Sequence, residues 1–163
     1  MSIQLPGELS ALLDELGYSW PETDEDQLMS LGQEWLHLAG LINDLHQDVS
    51  AVARRIANDH TSQSIEAFLA SWQAEDSGAA TLARGGTGAI AIGGTLTVCA
   101  GVVLALKINV IVQLTLLAAQ IIQAIATAVP TLGASLLEIP VFKQLTSAAV
   151  NFLVDRATEA VLG

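Results

Sequence analysis

The chain has 163 residues, enough for one domain with a real core, and carries 17 acidic against 6 basic side chains, a formal net charge of −11. That balance excludes nucleic-acid binding built on Lys and Arg neutralising phosphates, and disfavours an anionic membrane surface. Aromatics make up 4 % while Ala, Leu, Ile, Val and Gly dominate, which favours closely packed helices over a β-sandwich. The charge is uneven: residues 1–76 hold 14 acids and 2 bases, and residues 77–163 hold 3 acids and 4 bases. Cys99 is the only cysteine, which excludes an internal disulfide and a multi-Cys zinc site. The start, Met-Ser-Ile-Gln-Leu-Pro-Gly-Glu, lacks the basic-then-apolar pattern of a cleavable secretory signal.

A short helix is expected to open near Pro6, a favourable first-turn residue, with Leu9, Leu12, Leu13 and Leu16 on one side and Gly17 at its end. Tyr18-Ser-Trp20-Pro21 makes an aromatic turn. Thr23 with Asp26 reads as a capping box for the next helix, whose positive end suits Asp24, Glu25 and Asp26. In that helix Leu28, Trp35, Ile42, Val49 and Ile56 recur every seven residues, with Leu31, Leu38, Leu45 and Val52 at the other seam position. This unbroken apolar seam predicts a helix of about 35 residues paired along its length with another.

Asn58-Asp-His-Thr-Ser62 breaks the pattern as a turn, after which Ile65, Phe68, Leu69 and Trp72 resume helical spacing. A short turn between long helices makes them antiparallel, so a hairpin with arms 24–59 and 62–129 is expected, with a break between 77 and 94. Downstream, Gly85, Ala89, Gly93, Thr97, Gly101 and Ala105 recur at a step of four, a small-residue stripe along which another backbone can approach. Gly86-Thr-Gly88-Ala-Ile-Ala91 also fits the dinucleotide fingerprint G-x-G-x-x-G/A. It lacks the preceding strand and the acidic residue about 20 positions on, so no cofactor loop is read here.

Between Ile108 and Val129 every polar residue except Thr115, namely Asn109, Gln113, Gln120, Gln123 and Thr127, falls in one narrow stripe, and the rest of the surface is Ile, Leu, Val and Ala. This stretch is expected to be buried almost all round and to end at Val129-Pro130. Ser135-Leu-Leu-Glu138 resembles another capping box, Pro140 suits a first turn, and Phe142, Leu145, Ala149 and Phe152 would form the apolar side of a last helix over 135–162.

Only Lys107 is charged between Arg84 and Glu138, so two spans of about 22 residues, 85–106 and 108–129, would each be long enough to cross a bilayer. A hairpin cannot turn on Lys107 alone, the first span is rich in glycine, and polar side chains line the second. Burial against protein is therefore the expectation, with membrane insertion of 85–129 as the alternative.

Catalytic chemistry finds no footing. His37 and His46 lie nine apart on one helix and no His or Cys pair has ligand spacing, so solvated histidines are expected and no metal site. Asp24, Glu25 and Asp26 are explained by a helix start. No serine sits in a nucleophile elbow, and Cys99 in its apolar run reads as inert packing. Trp35, Phe68 and Trp72 read as core anchors, or as a partner surface if exposed.

Several groups together resemble a known family: Leu16-Gly-Tyr-Ser-Trp20-Pro21 followed by Asp24-Glu-Asp26 and Trp35, then Phe68 with Trp72, Lys107-Ile-Asn-Val-Ile-Val-Gln-Leu114, Pro130-Thr-Leu-Gly-Ala-Ser135 and Ile139-Pro140. Over nearly its whole length the chain is similar to the WXG-type (ESX) helical-hairpin domains at the N-termini of actinobacterial polymorphic toxins, and to the N-terminal modules of CpnT-like outer-membrane channel and necrotizing-toxin proteins. It departs from simpler relatives in having His60-Thr61-Ser62 at the hairpin turn and no Tyr-X-X-X-Asp/Glu export signal in the last helix. The resemblance implies an all-α, single-domain trafficking module for type VII secretion, exported without a signal peptide, standing alone or excised from a longer toxin protein. Its expected partners are helical secretion or chaperone proteins, the secretion machinery and an attached toxin domain, in homo- or hetero-oligomers, with no cofactor and with the outer membrane as the alternative location. The residues expected to carry pairing are Leu28, Trp35, Ile42, Val49, Ile56, Phe68 and Trp72.

Overall fold

The computed structural model describes residues 2–131 and 133–162. They form α1 (Gly7–Glu15), α2 (Glu25–Asp59), α3 (Gln63–Gln73), α4 (Gly78–Ala126), a short 3-10 helix (Ala134–Glu138) and α5 (Ile139–Leu162). No strand occurs among the described residues, and the fold is all-α. The chain divides into two compact units, Gln27–Val98 and the combination of Met1–Asp26 with Cys99–Gly163.

In the Gln27–Val98 unit, α2 and the first part of α4 run antiparallel. Gly32 lies against Gly93 and Thr97, whereas Ile42 and Asn43 lie against Gly86, so positions rise along one helix as they fall along the other. The approach is close because side chains are missing where the helices meet. A Cβ on Gly32 would stand 2.8 Å from Thr97 Oγ1 and 3.0 Å from the Gly93 carbonyl, and one on Gly93 would stand 2.8 Å from the Gly32 carbonyl. Between these arms, Ser62 Oγ accepts the Ile65 N–H at 3.3 Å and opens α3, and Ser77 Oγ accepts the Ala80 N–H at 3.1 Å and opens α4.

The second arm therefore breaks at Ala74–Ser77 and not among the glycines: α4 runs unbroken through residues 85–94. Packing of Gly86 and Gly93 offsets their poor helix propensity, as tertiary contact commonly does.

In the other unit, α1 ends in a Schellman motif: the Tyr18 N–H reaches the Leu13 carbonyl at 3.1 Å, the Gly17 N–H reaches Asp14 at 3.0 Å, and Gly17 takes φ +86°. Pro6 stands just before α1, its carbonyl accepting from Leu9 and Ser10. Leu13, Val110 and Leu114 form the core, with Leu9, Leu12, Leu16, Tyr18 and Trp20 packed on it. The Tyr18 hydroxyl reaches the Ser147 carbonyl at 3.1 Å, and Lys143 pairs with Glu15, tying α1 to α5.

Four expectations are corrected here. The cap of α2 is Asp24, whose Oδ1 accepts the Asp26 N–H at 2.9 Å, while Thr23 lends its carbonyl to Lys107. Ser135 does not cap the last helix; it is buried in the 3-10 turn and its hydroxyl donates to the Ala124 carbonyl at 2.8 Å. In α5 the buried positions are Thr146 and Val150, with Leu145 and Phe152 exposed. The stretch 108–129 is not buried almost all round: it buries Val110, Leu114, Leu117 and Ala124 and leaves Ile108, Val112, Leu116, Ile122 and Ile125 exposed. A helix rotating 100° per residue can hide its whole surface only when neighbours cover every side.

Candidate functional site

One strip of the exposed surface of α2 in the Gln27–Val98 unit is apolar. Leu31, Leu38, Leu45 and Val52 are 44, 41, 54 and 52 % exposed, and Leu41, Val49 and Ile56 lie exposed beside them. Fully covering a Leu or Val side chain is worth about 1.5–3 kcal/mol, and a contiguous row of them in water marks an interaction surface.

The row leads into a groove. Leu45 and Val49 of α2, Phe68, Ser71 and Trp72 of α3, and Ser77, Gly78, Ala79 and Leu82 at the start of α4 enclose about 380 Å³. Phe68 and Trp72, one helical turn apart, set their rings 5.9 Å apart at 34° and form its floor. Further along α2, Leu31, Glu34, Trp35 and Leu38 line a shallower hollow of about 170 Å³.

The residues proposed from the sequence for pairing thus separate into groups. Leu28, Trp35 and Ile42 are half-buried, and Ile42 touches the Gly86 position of α4. Val49 and Ile56 are exposed, and Phe68 and Trp72 are half-buried in the groove. Of the small-residue stripe, Ala89 and Gly93 are buried, but Gly85 and Gly101 are exposed with open space where a Cβ would stand. A step of four advances 400° on a helix, so the stripe drifts 40° per step and leaves the contact line within two steps. Gly32 and Gly86, at the contacts themselves, lie outside that stripe.

Along 109–127, Asn109, Gln120 and Gln123 are exposed and Gln113 and Thr127 half-buried. Asn109 donates to its own helix at the Ala105 carbonyl, 2.7 Å away, and Thr127 to Gln123 at 2.9 Å. Gln120, Gln123 and Thr127 border a small hollow with Glu138 and Phe142. None of these side chains converges on an ion or nucleophile.

Among the described residues, one charge cluster is built in a buried setting, and it lies elsewhere. Lys107, in mid-α4, is 1 % exposed and Glu25 5 % exposed, with Nζ 2.6 Å from Oε2. Lys107 also donates to Ser2 Oγ and the Thr23 carbonyl, both at 2.7 Å, and sits 5.9 Å from the centre of the Trp20 ring. Glu25 accepts from the Ile3 N–H at 2.6 Å and the Ser2 hydroxyl at 2.8 Å. Burial pushes the Glu25 carboxyl up, but the Lys107 bond and the backbone and hydroxyl donors outweigh it and hold the pKa at about 2. All three ammonium protons are used, so this centre is a structural clasp with no free group to offer a substrate. The only lysine in a long apolar run was the signal for it; its partner was hidden among acids that a helix start also explains.

Among the described residues no three metal-ligating side chains cluster. No curated protein and no solved structure matches the chain. A family model does, that of the WXG100-like domain, over residues 4–147. With paired antiparallel helices, an exposed apolar strip and a family match over most of its length, the chain belongs to the WXG100-like domains, helical proteins associated with type VII secretion.

Proposed function

We propose that this chain is a non-catalytic trafficking module that pairs with a helical secretion partner and carries itself, or a toxin domain attached after it, to the type VII machinery. The observation behind this reading is the exposed row Leu31, Leu38, Leu45 and Val52 running into the Phe68–Trp72 groove. A helix laid along it would bury the row in knobs-into-holes fashion, the usual way an amphipathic helix is recognised. Leu28 and Ile42 would then act from behind, setting the spacing of the α2–α4 pair, while Trp35 stands in the hollow beside Leu31 and Leu38. Export in a cell with an intact type VII system is the test: Leu31, Leu38 and Leu45 all changed to Ser should keep the fold and abolish both co-purification with the partner and appearance in the medium. Export undiminished by that change, or by deletion of the secretion system, would reject the reading.

A second reading has one observation in its favour. The stretch Gln63–Ala126 contains a window long and apolar enough to cross a membrane, of which 17 % is buried. A membrane-inserting channel built on 85–129 would expose it to lipid. Protection of 85–129 from protease in liposomes separates this reading from the first.

A further inference from the structure

We infer that the groove over Phe68 and Trp72, with the apolar row leading into it, receives an amphipathic helix whose apolar edge is flanked by Lys or Arg, and not a second copy of this chain. The inference rests on the proposed pairing function and names the chemistry of the partner.

The shape of the site selects a helix. Apart from the Trp72 indole N–H, the side-chain polar groups lining the groove come from Ser71 and Ser77, and Ser77 Oγ already holds the Ala80 N–H. A small-molecule pocket needs a few convergent polar groups to orient its ligand, and this one has almost none. Leu45 belongs both to the groove and to the row through Leu31, Leu38 and Val52, so the surface continues for about 30 Å at 1.5 Å per residue. Only an extended ligand with its own seven-residue repeat would cover it.

The rim selects the charge. Glu34 lines the shallow hollow beside Leu31 and Leu38; Asp48 stands one turn after Leu45 on the same side of α2; Glu75 and Asp76 immediately precede Ser77. All four are exposed, and none forms an ion pair among the described residues. Arg55 is the one base on that border of α2, and the Gln27–Val98 unit holds seven acids against three bases. A second copy would bring the same acids to the contact on a chain of net charge −11, so the apolar gain would be opposed by charge repulsion. A basic-flanked helix turns the same rim into complementary pairs and is steered to it.

The test uses the full chain and two labelled helical peptides with Leu at both seam positions, one carrying Lys and the other Glu at the flanking positions. Fluorescence anisotropy is read at ionic strengths of about 0.05 M and about 0.5 M. The Lys peptide should bind at least tenfold more tightly at low salt, and the ratio should shrink at high salt. The combined change Asp48→Lys, Glu75→Lys and Asp76→Lys, at exposed positions that leave the helical circular dichroism intact, should invert the preference. Leu45→Ser should weaken both peptides. Equal binding of the two peptides, failure of both to bind, a Lys preference that survives the triple reversal, self-association through this face, or its adsorption to phosphatidylcholine vesicles would each overturn the inference. A natural partner whose co-export needs Leu31, Leu38 and Leu45 but is indifferent to the acids would leave the pairing function standing and remove the basic flank alone.

Discussion

Gly93 and Gly101 belong to the same helix and answer to different physics. At Gly93 a methyl group would meet the Gly32 carbonyl at 2.8 Å and Leu36 Cγ at 2.9 Å; at Gly101 it would meet nothing within 4 Å. Gly101→Ala and Gly85→Ala should therefore stabilise the fold by about 0.5–1 kcal/mol each, the helix-propensity gain alone. Gly93→Ala and Gly32→Ala should destabilise by about 1–3 kcal/mol, because backbone must move to admit the methyl. At Gly86 the obstacle is the Asn43 side chain, which can swing away, so the alanine variant should be close to neutral. Thermal unfolding followed by circular dichroism orders the five variants, and a uniform rise would disprove the close α2–α4 approach. The Lys107–Glu25 clasp makes a second residue-scale prediction. The Glu25 pKa is depressed to about 2, so its stabilisation is fully present above the ordinary carboxylate range and is lost as the pH falls toward 2. Glu25→Gln should cost about 3–5 kcal/mol near neutrality by leaving a buried ammonium short of its counter-charge, and the gap to the parent should narrow on acidification. Paired change of Glu25→Gln with Lys107→Met should recover much of the loss; a gap between Glu25→Gln and the parent that stays constant from pH 6 to about pH 2 in urea titrations would contradict the assignment.

At the level of elements, the all-α class and the antiparallel pairing of α2 were legible because the seven-residue repeat is long and unbroken. Its rotation about the helix axis was not. The large residues fit a seam of Leu28 and Leu31, Trp35 and Leu38, Ile42 and Leu45, whereas the structure buries Gly32 and Ala39 four positions after Leu28 and Trp35, with Ala53 in the same row. Both readings satisfy a heptad. Contact between backbones decides for the small row, since Gly32 on Gly93 permits an approach that a leucine would prevent. The same blind spot hid Gly86, because a step-of-four stripe was counted where the contact alternates three and four. Ala39→Leu should thus overpack the buried side and lower stability by about 1–3 kcal/mol, while Leu38→Gln, its neighbour in sequence, should change stability by less than about 0.5 kcal/mol. Chemical denaturation of the two variants checks the rotation: equal losses would return the seam to its larger residues.

For the whole molecule, the question set by composition is how a chain of net charge −11 carries a helix as apolar as α4. The charge lies largely in the first half of the sequence, and Glu25 from that half meets the single cation of the apolar run. Entry of α4 into a bilayer would separate Lys107 from Glu25 and place an unpaired ammonium in lipid, at about 2.5–3.5 kcal/mol on insertion scales, or else drag an acid with it. The intact chain should therefore stay in the aqueous fraction when floated with zwitterionic or anionic vesicles at neutral pH. Joint replacement Glu25→Leu and Lys107→Leu removes that barrier without orphaning either charge, and should raise the vesicle-bound fraction several-fold. Wild-type chain floating with zwitterionic vesicles, its residues 85–129 shielded from protease, would mean that the clasp does not restrain α4 and that lipid is the surface its exposed Ile108, Val112, Leu116, Ile122 and Ile125 are made for.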